Sequence, residues 1–355
     1  MLHGGDIVTY QREGAAPLND FSININPLGL PTGFDEVMRQ GAAAIGKYPD
    51  IKYRELKKSV ARYLSCKPEE IIVGNGATEI ITIVHYLARR TLVVTPCFSE
   101  YSTACTLLKQ PIIEISSDQN FDIRIETISD TLQENDILFL GNPNNPTGKR
   151  IPEGVLREII TLVQKKKALL LLDEVFSEFT GSGYDTLSLF SPSPHVVVLR
   201  AATKFFGLPG IRLGYAAAAA ETAEKINSML MPWSINAFAE AAGRLLLSDT
   251  GYISLSKRHI ASLRKTFYRD LSGLPGLTVF PSDANFFLIK LHYGTENDVF
   301  SFMLDKGFLI RKASSFRGLS DQYIRIAVKD EVSNAALAAA LKEYVNSAGY
   351  KRKTG

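Results

Sequence analysis

Residues 199–215 read LRAATKFFGLPGIRLGY and combine the end of one predicted strand, a turn and the start of the next strand. The run His195–Leu199 (HVVVL) predicts a strand that ends shortly before Lys204, and strand character resumes after a turn at Pro209-Gly210. Lys204 is therefore expected at the rim of a sheet, with Arg212 close by. Because most loop lysines are solvated, a chemical role for Lys204 depends on the rest of the chain.

Strands and helices alternate from residue 70 onward, which is typical of a mainly parallel sheet with helices on both faces. The strand candidates are Ile71–Val73, Thr91–Thr95, Ile112–Ile115, Ile137–Leu140, Ala168–Leu172, Val196–Leu199 and Leu213–Ala217. The helix candidates are Glu79–Arg89, Ser99–Leu108, Glu153–Lys167 and Asn236–Leu247. We therefore predict a large α/β domain.

The regions on either side of this alternation have different patterns. The N-terminal residues are punctuated by glycine and proline and predict an arm, followed by helices at Gly33–Ile45 and Tyr53–Leu64. The C-terminal part predicts a smaller α+β domain with the elements Thr278–Phe280, Phe286–Lys290, Asn297–Lys306, Phe308–Arg311, Tyr323–Ala327 and Glu331–Val345. We predict an arm and part of the small domain over residues 1–45, the large domain over 46–250 and the small domain over 251–355.

Composition limits the classes of function. A net charge of +3 over 355 residues, with a short basic run at Lys351–Lys353, argues against nucleic acid as a partner. No segment approaches the roughly 20 apolar residues of a membrane helix, and the N-terminus lacks the apolar core of a signal peptide. Cys66, Cys97 and Cys105 form no CxxC pair, which favours reduced thiols over a metal site. We expect a cytoplasmic protein without a metal.

Three stretches place reactive groups at the ends of predicted strands. Residues 74–79 (GNGATE) lie between a strand and a helix, where backbone N–H groups can hold a phosphate, although such a turn is more often plain turn chemistry. Residues 142–148 (NPNNPTG) form an irregular loop at the sheet edge where α/β folds bind ligands. The apolar strand at 169–172 ends in Asp173-Glu174. Lysine, arginine and aspartate together form the minimal set for pyridoxal phosphate.

These motifs resemble the fold type I pyridoxal-phosphate (PLP) enzymes of aminotransferase class I/II over nearly the whole chain. The matching segments are NGATE at 75–79, PCFSEY at 96–101, NPNNPTG at 142–148, DEVF at 173–176, TK at 203–204 and GIRLGY at 210–215. The resemblance implies the aspartate aminotransferase-like fold, in which a large domain with a mainly parallel sheet is joined to a smaller α+β domain. It also implies a homodimer.

The resemblance implies roles for individual residues. Lys204 would form the Schiff base with PLP, and Asp173 would keep the ring nitrogen protonated. Asn145 would hold the ring hydroxyl, and Phe98 would stack on the ring. The residues implied for the cofactor phosphate are Gly76, Ala77, Thr78, Thr203 and Arg212. Tyr48 would reach the cofactor phosphate of the neighbouring subunit.

Two positions depart from the family pattern. Ala201 replaces a residue whose hydroxyl usually holds the cofactor phosphate, and Phe176 replaces a tyrosine that usually donates to the ring hydroxyl. Each missing neutral hydrogen bond costs about 1 kcal/mol. We expect the cofactor to bind nevertheless, because the Schiff base and the charged contacts remain.

Further segments resemble the threonine-phosphate decarboxylases of cobalamin biosynthesis, with histidinol-phosphate aminotransferases as near relatives and as the alternative. These segments are HGG at 3–5, DFSININPLG at 20–29, DEVF at 173–176, PWSIN at 232–236 and FRGL at 316–319. The resemblance implies that Arg311 and Arg325 bind the phosphorylated amino-acid substrate, and arginine suits both phosphate and carboxylate. His3, Asn26 and Arg317 are further candidates, unless they belong only to a flexible arm and to the charged surface.

Other classes of function stay open beside this one. An aminotransferase-like PLP-binding sensor domain is disfavoured because the motifs begin too near the N-terminus for a preceding DNA-binding domain, and because Lys204 is intact. A nucleotide-binding α/β enzyme is disfavoured because the phosphate-loop signatures are missing. The expected reaction is decarboxylation of O-phospho-L-threonine to (R)-1-amino-2-propanol phosphate, with transamination as the alternative outcome.

Overall fold

The computed structural model describes residues 4–11, 17–181, 183–189 and 193–347. Its strands are β1 (Asn19–Asp20), β2 (Ile71–Asn75), β3 (Arg90–Thr95), β4 (Ile112–Ser116), β5 (Asp136–Gly141), β6 (Leu169–Asp173), β7 (Val196–Ala201), β8 (Leu213–Ala218), β9 (Leu277–Val279), β10 (Phe286–Leu291), β11 (Phe308–Leu309), β12 (Arg311–Lys312) and β13 (Tyr323–Ala327). Its α-helices are α1 (Ile7–Tyr10), α2 (Phe34–Ala44), α3 (Arg54–Leu64), α4 (Gly76–Val84), α5 (Glu100–Leu108), α6 (Ile125–Thr131), α7 (Glu153–Lys166), α8 (Thr186–Leu189), α9 (Ala220–Met229), α10 (Ala237–Leu245), α11 (Thr250–Ser272), α12 (Glu296–Asp305) and α13 (Glu331–Asn346). Short 3₁₀ helices occupy Pro68–Glu70, His85–Leu87 and Ser177–Phe179.

A seven-stranded sheet in the order β2-β8-β7-β6-β5-β3-β4 forms the centre of the large domain. The strands from β7 to β4 in that order run parallel to one another, whereas β8 is antiparallel to both of its neighbours. This mainly parallel sheet, together with a separate smaller sheet, confirms the predicted aspartate aminotransferase-like α/β fold.

The central strand β6 shows why the sequence folds in this way. Leu170 and Leu172 pack into the core on one face of the sheet, while Leu169 and Leu171 pack into the core on the other face. A strand that is buried on both faces needs an unbroken apolar run, and such a run is the pattern of a parallel sheet. Asp173 ends the run, at the edge where the carboxyl ends of β5, β6 and β7 meet.

The smaller sheet has the order β12-β13-β10-β9 and is antiparallel throughout. The prediction of one continuous strand over Phe308–Arg311 is wrong. Leu309 in β11 pairs with Asp20 of the N-terminal arm, whereas Arg311 in β12 pairs with Arg325 in β13. The chain therefore changes partners at Ile310, and the arm is tied to the small domain.

The predicted strands of the large sheet agree with the structure to within two residues at each end. The helix predicted at Glu79–Arg89 instead begins at Gly76 and ends at Val84, so the glycine turn is itself the first turn of α4.

The predicted domain boundaries at 45/46 and 250/251 stay predictions. Cys66, Cys97 and Cys105 are free thiols. No helix in the described ranges has the length and apolar character needed to cross a membrane.

Candidate active site

A cavity of about 230 Å³ lies at the carboxyl edge of β5, β6 and β7. The large domain, the small domain and the N-terminal arm all contribute to its wall. The predicted site residues that line it are Ala77, Thr78, Phe98, Asn145, Asp173, Thr203, Lys204, Arg212, Arg311 and Arg325. The fold thus gathers side chains from distant segments into a single site.

The start of α4 and Arg212 form one end of this cavity. Gly76 has a φ of +73°, and its N–H donates to the carbonyl of Arg212 at 2.9 Å. A Cβ atom on Gly76 would lie 2.3 Å from Nη2 of Arg212, so only glycine allows the guanidinium to lie there. Gly76 itself lies behind the residues that line the cavity. A helix N-terminus beside an arginine attracts a phosphate.

Asp173 lies in the centre of the cavity wall and is buried. The hydroxyl of Tyr101 donates to its Oδ2 at 2.7 Å, and the N–H of Val175 donates to its Oδ1 at 3.0 Å. Burial raises the pKa of Asp173, although both hydrogen bonds oppose that rise. Tyr101 belongs to the motif PCFSEY at 96–101, in which the sequence analysis assigned a role to Phe98 alone.

Lys204 follows β7 and is half-buried on the cavity wall. Burial lowers the pKa of its amine to about 8, and the charges of Arg325 and Arg212 act in the same direction. Within the described part of the chain the amine makes no side-chain hydrogen bond. An amine that is partly neutral near pH 8 can attack a carbonyl carbon.

Arg311 and Arg325 lie opposite each other on paired strands and are both buried. The ring of Phe316 lies against both guanidinium groups, with its centroid 5.2 Å and 5.6 Å from their Cζ atoms. Burial lowers the pKa of Arg311 to about 10 and that of Arg325 to about 9, and the charge of Arg311 lowers the latter further. Two like charges placed opposite each other destabilise a sheet, so this pair indicates a site for an anion.

Arg325 links three parts of the cavity. Its Nη1 donates to Oδ1 of Asn145, and its Nη2 donates to the carbonyl of Ser22 at 2.9 Å. Its Nε is buried and has no hydrogen-bond partner among the described residues. The small domain, the loop after β5 and the arm therefore meet at one guanidinium, whose Nε–H can donate a further hydrogen bond.

The structure does not bring Asn26 to the cavity. Its side-chain amide donates to the carbonyl of Phe205, to the hydroxyl of Tyr252 and to the hydroxyl of Ser256 at 2.8–3.0 Å, so this amide ties the arm to the large domain. Asn24 lines the cavity instead. The Oδ1 atom of Asn24 is buried without a hydrogen-bond partner in the described structure, which is rare unless a ligand or water completes it.

Other predicted residues lie away from the cavity wall. Tyr48 is 81% exposed, and its ring lies 4.9 Å from that of Trp233. Arg317 is exposed and pairs with Glu114 on β4. His3 lies outside the described residues, so its predicted contact with the substrate stays a prediction.

The residues present fit PLP. The cavity offers an amine with a lowered pKa and a buried carboxylate with one donor on each oxygen. At its other end a helix N-terminus lies beside Arg212, where a Cβ atom on Gly76 would displace the guanidinium. Ala201 and Phe176 also line the cavity, so the two hydroxyl groups that the sequence lacks are missing from its wall.

Comparison with known proteins agrees with this geometry. The family description "Aminotransferase class I and II" matches residues 18–342. The chain is 40% identical over 353 residues (96% of this chain, 93% of the relative) to a Caldanaerobacter subterraneus protein that is provisionally named threonine-phosphate decarboxylase. It is 34% identical over 355 residues (96% and 95%) to threonine-phosphate decarboxylase of Salmonella typhimurium. The solved histidinol-phosphate aminotransferase of Clostridium acetobutylicum is 36% identical, with a TM-score of 0.88 over 92% of this chain and 98% of that one. The chain therefore belongs to aminotransferase class I and II and is a PLP-dependent enzyme.

Proposed function

We propose that the enzyme decarboxylates O-phospho-L-threonine to (R)-1-amino-2-propanol phosphate, as a step of cobalamin biosynthesis. The observation that carries this proposal is the pair of buried guanidinium groups, Arg311 and Arg325, in the same cavity as Lys204. Because Arg311 and Arg325 are directly paired on neighbouring strands, their side chains leave the sheet side by side, close enough for the two groups to bind one phosphate dianion together. The unpaired Oδ1 of Asn24 can accept a hydrogen bond from the substrate amine.

The cofactor would be held by the residues that fit it. The backbone N–H groups of Ala77 and Thr78 and the guanidinium of Arg212 would bind its phosphate, and Asp173 would accept a hydrogen bond from its ring nitrogen. Asn145, Phe98 and Thr203 would contact the rest of the cofactor, as the family resemblance implies. When bound, PLP withdraws electrons from the Cα of an amino-acid substrate, so that a bond at Cα can break.

The chain's own residues then select the bond and move the proton. The bond at Cα that would break is the one held perpendicular to the ring of the bound cofactor, so the residues that anchor the substrate phosphate would decide the outcome. With its phosphate on Arg311 and Arg325, the substrate can hold its carboxylate perpendicular and lose CO2. The amine of Lys204, with a pKa near 8, can then deliver a proton to Cα.

Transamination of histidinol phosphate is the second candidate. The 36% identity to the histidinol-phosphate aminotransferase of Clostridium acetobutylicum favours it. Histidinol phosphate also offers a phosphate to Arg311 and Arg325, but it has no α-carboxylate. Its C–H bond would therefore have to stand perpendicular, and Lys204 would remove that proton.

Two parallel incubations of the holoenzyme test these alternatives. With O-phospho-L-threonine we expect release of CO2 and formation of the amino-alcohol phosphate. With histidinol phosphate and 2-oxoglutarate we expect little turnover. Lys204→Ala should lose both the visible absorbance band of the bound cofactor and turnover, and it serves as the inactive control. Turnover of histidinol phosphate without CO2 release from phosphothreonine would reverse the ranking.

We further propose that the enzyme is a homodimer in which Tyr48 reaches the partner's cofactor. The support is an unusually exposed apolar group around Tyr48, with Ile45 69%, Ile51 53% and Met231 69% exposed. Light scattering should give twice the mass of the chain, and Tyr48→Phe should weaken cofactor binding without dissociating the dimer. A monomer, or unchanged cofactor affinity, would count against this arrangement. The cytoplasmic location stays a prediction.

A further inference from the structure

Tyr101 contacts Asp173 directly and has no role in the reaction proposed above. Its hydroxyl donates a hydrogen bond to Oδ2 at 2.7 Å, while the N–H of Val175 donates one to Oδ1 at 3.0 Å. Both side chains are buried, since Tyr101 is 1% exposed and Asp173 is 8% exposed. The carboxylate is therefore oriented by the protein itself, with one donor on each oxygen.

Aromatic packing fixes the ring of Tyr101. The ring stacks on Phe139 with centroids 5.1 Å apart, and it meets Phe98 edge-on at 5.7 Å. The backbone carbonyl of Tyr101 lies 3.2 Å from Nε2 of His85, which holds the same turn of α5 in place. Because the interior is close-packed, the hydroxyl cannot turn away from Asp173 without disturbing these neighbours.

The charged groups around Asp173 act in opposite directions. Burial raises the pKa of Asp173, and the carboxylate of Glu174 raises it further. The hydrogen bonds from Tyr101 and Val175 and the charge of Lys204 lower it. Burial also raises the pKa of Tyr101 well above its ordinary value, so the phenol keeps its proton and donates it to the carboxylate.

We propose that Tyr101 is a positioning residue whose hydroxyl holds the carboxylate of Asp173 ionised and oriented toward the pyridine nitrogen of the cofactor. This inference rests on the proposed role of Asp173. An ionised carboxylate keeps that nitrogen protonated, and a protonated ring withdraws electrons from Cα more strongly. Without the hydroxyl, the proton shared by Asp173 and the nitrogen shifts toward the carboxylate.

Holoenzyme reconstituted with PLP carrying nitrogen-15 in its ring tests the proposal by NMR. In Tyr101→Phe we expect the nitrogen signal at neutral pH to move toward the unprotonated position, because losing a hydrogen bond to a charged group shifts a proton equilibrium by about tenfold or more. We also expect kcat to fall by about tenfold while KM changes little. A residue that only stabilises the fold would not move the nitrogen signal.

A second variant keeps the test decisive if Tyr101→Phe fails to fold. Site-specific incorporation of 3-fluorotyrosine at position 101 keeps the shape of the ring but makes the phenol a stronger donor. We expect the nitrogen signal to move in the opposite direction, toward full protonation. A signal unaffected by both replacements would overturn the proposal.

Two further variants separate this proposal from the proposed function. Tyr215→Phe removes the hydroxyl of another fully buried tyrosine, which is not among the residues that line the cavity, and should leave the nitrogen signal unchanged. Asp173→Asn should give the unprotonated signal. If Asp173→Asn shifts the signal and Tyr101→Phe does not, the role of Tyr101 alone is refuted. An unchanged signal in Asp173→Asn refutes the assignment of Asp173 itself.

Discussion

Gly214 lets strand β8 pass directly behind the turn that we propose holds the cofactor phosphate. A Cβ atom at this position would lie 2.4 Å from the carbonyl carbon of Gly76, 2.5 Å from the nitrogen of Ala77 and 2.6 Å from the oxygen of Gly76. All three are backbone atoms, which no change of side-chain rotamer can move. Since favourable carbon contacts lie at about 3.5 Å, Gly214→Ala forces the two segments apart by roughly 1 Å.

The displacement should affect cofactor binding more than folding. Overpacking of a close-packed site costs about 1–3 kcal/mol, which leaves a protein of ordinary stability, about 5–15 kcal/mol, still folded. The same shift moves the N–H groups of Ala77 and Thr78 out of reach of the cofactor phosphate. Hydrogen bonds to a charged group are worth about 1.5–3 kcal/mol each, so we expect PLP to bind roughly ten- to a hundredfold more weakly.

Two measurements on the apoenzyme test this expectation: urea unfolding, and titration with PLP followed by absorbance. Gly210→Ala is the matched control, because Gly210 lies in the same segment and has no atom within 4 Å of its Cβ position. A Gly214→Ala protein that matches this control in both measurements refutes the steric reasoning. Lost stability with unchanged PLP affinity would show that the turn at Gly76 does not hold the phosphate.

Three further predictions follow from the charges and the missing hydroxyl groups. Lys204 keeps its proton up to about pH 10.5 in the unfolded chain but only up to about pH 8 in the folded apoenzyme. The free energy of unfolding of the apoenzyme should therefore rise with pH between these two values. Urea unfolding midpoints should show this rise, and those of Lys204→Met should lack it. Glu174→Gln removes the nearest carboxylate of the largely buried Arg200, which keeps only the longer contact to Asp185, and should lower the free energy of unfolding by about 2 kcal/mol. Glu221→Gln in an exposed pair should lower it by less than about 1 kcal/mol, and equal effects would contradict this. Ala201→Ser should tighten PLP binding about fivefold in apoenzyme titrations if the new hydroxyl reaches the phosphate, and weaker binding would contradict it.

The sequence was most informative where the fold depends on local pattern. The strands of the large sheet are apolar runs because helices cover both of its faces, and such runs can be read without knowing their partners. The positions of Asp173, Asn145 and Lys204 follow from the same pattern, since each lies at the carboxyl end of a parallel strand or a few residues after it. The cavity therefore lies where the sequence analysis placed it, although the roles of its residues stay proposals.

The arm shows where local pattern fails. Asn24 and Asn26 alternate with apolar residues in the same short stretch, so the sequence offered no basis for choosing between them. Asn26 finds its partners near Phe205 and Ser256, about 180 and 230 residues away, whereas Asn24 lies in the cavity. Only the tertiary structure decides which of the two amides faces the cavity.

The same limit explains the missed strand break and the missed tyrosine. Phe308–Arg311 reads as one extended run, but its halves pair with strands from opposite ends of the chain, the arm and β13. Tyr101 reads as a core residue because its ring is one, packed against Phe139. The contact on which its proposed role depends is made by a single atom, with a partner 72 residues away.

The charges on the cavity wall bear on which bond of the substrate breaks. Four basic side chains and one carboxylate line the described part of the cavity: Lys204, Arg212, Arg311, Arg325 and Asp173. Arg212 lies at the phosphate turn and Lys204 loses its charge above about pH 8, which leaves Arg311 and Arg325 for the substrate. A phosphate that occupies both guanidinium groups leaves none to hold an α-carboxylate in the plane of the cofactor ring. In the proposed reaction, the carboxylate would then be free to stand perpendicular to that ring and to leave as CO2. A substrate without a phosphate would instead place its carboxylate on Arg325 and expose the C–H bond. For a substrate that carries an α-carboxylate, the sharing of its anionic groups between the two arginines, rather than the fold, would therefore decide between decarboxylation and transamination.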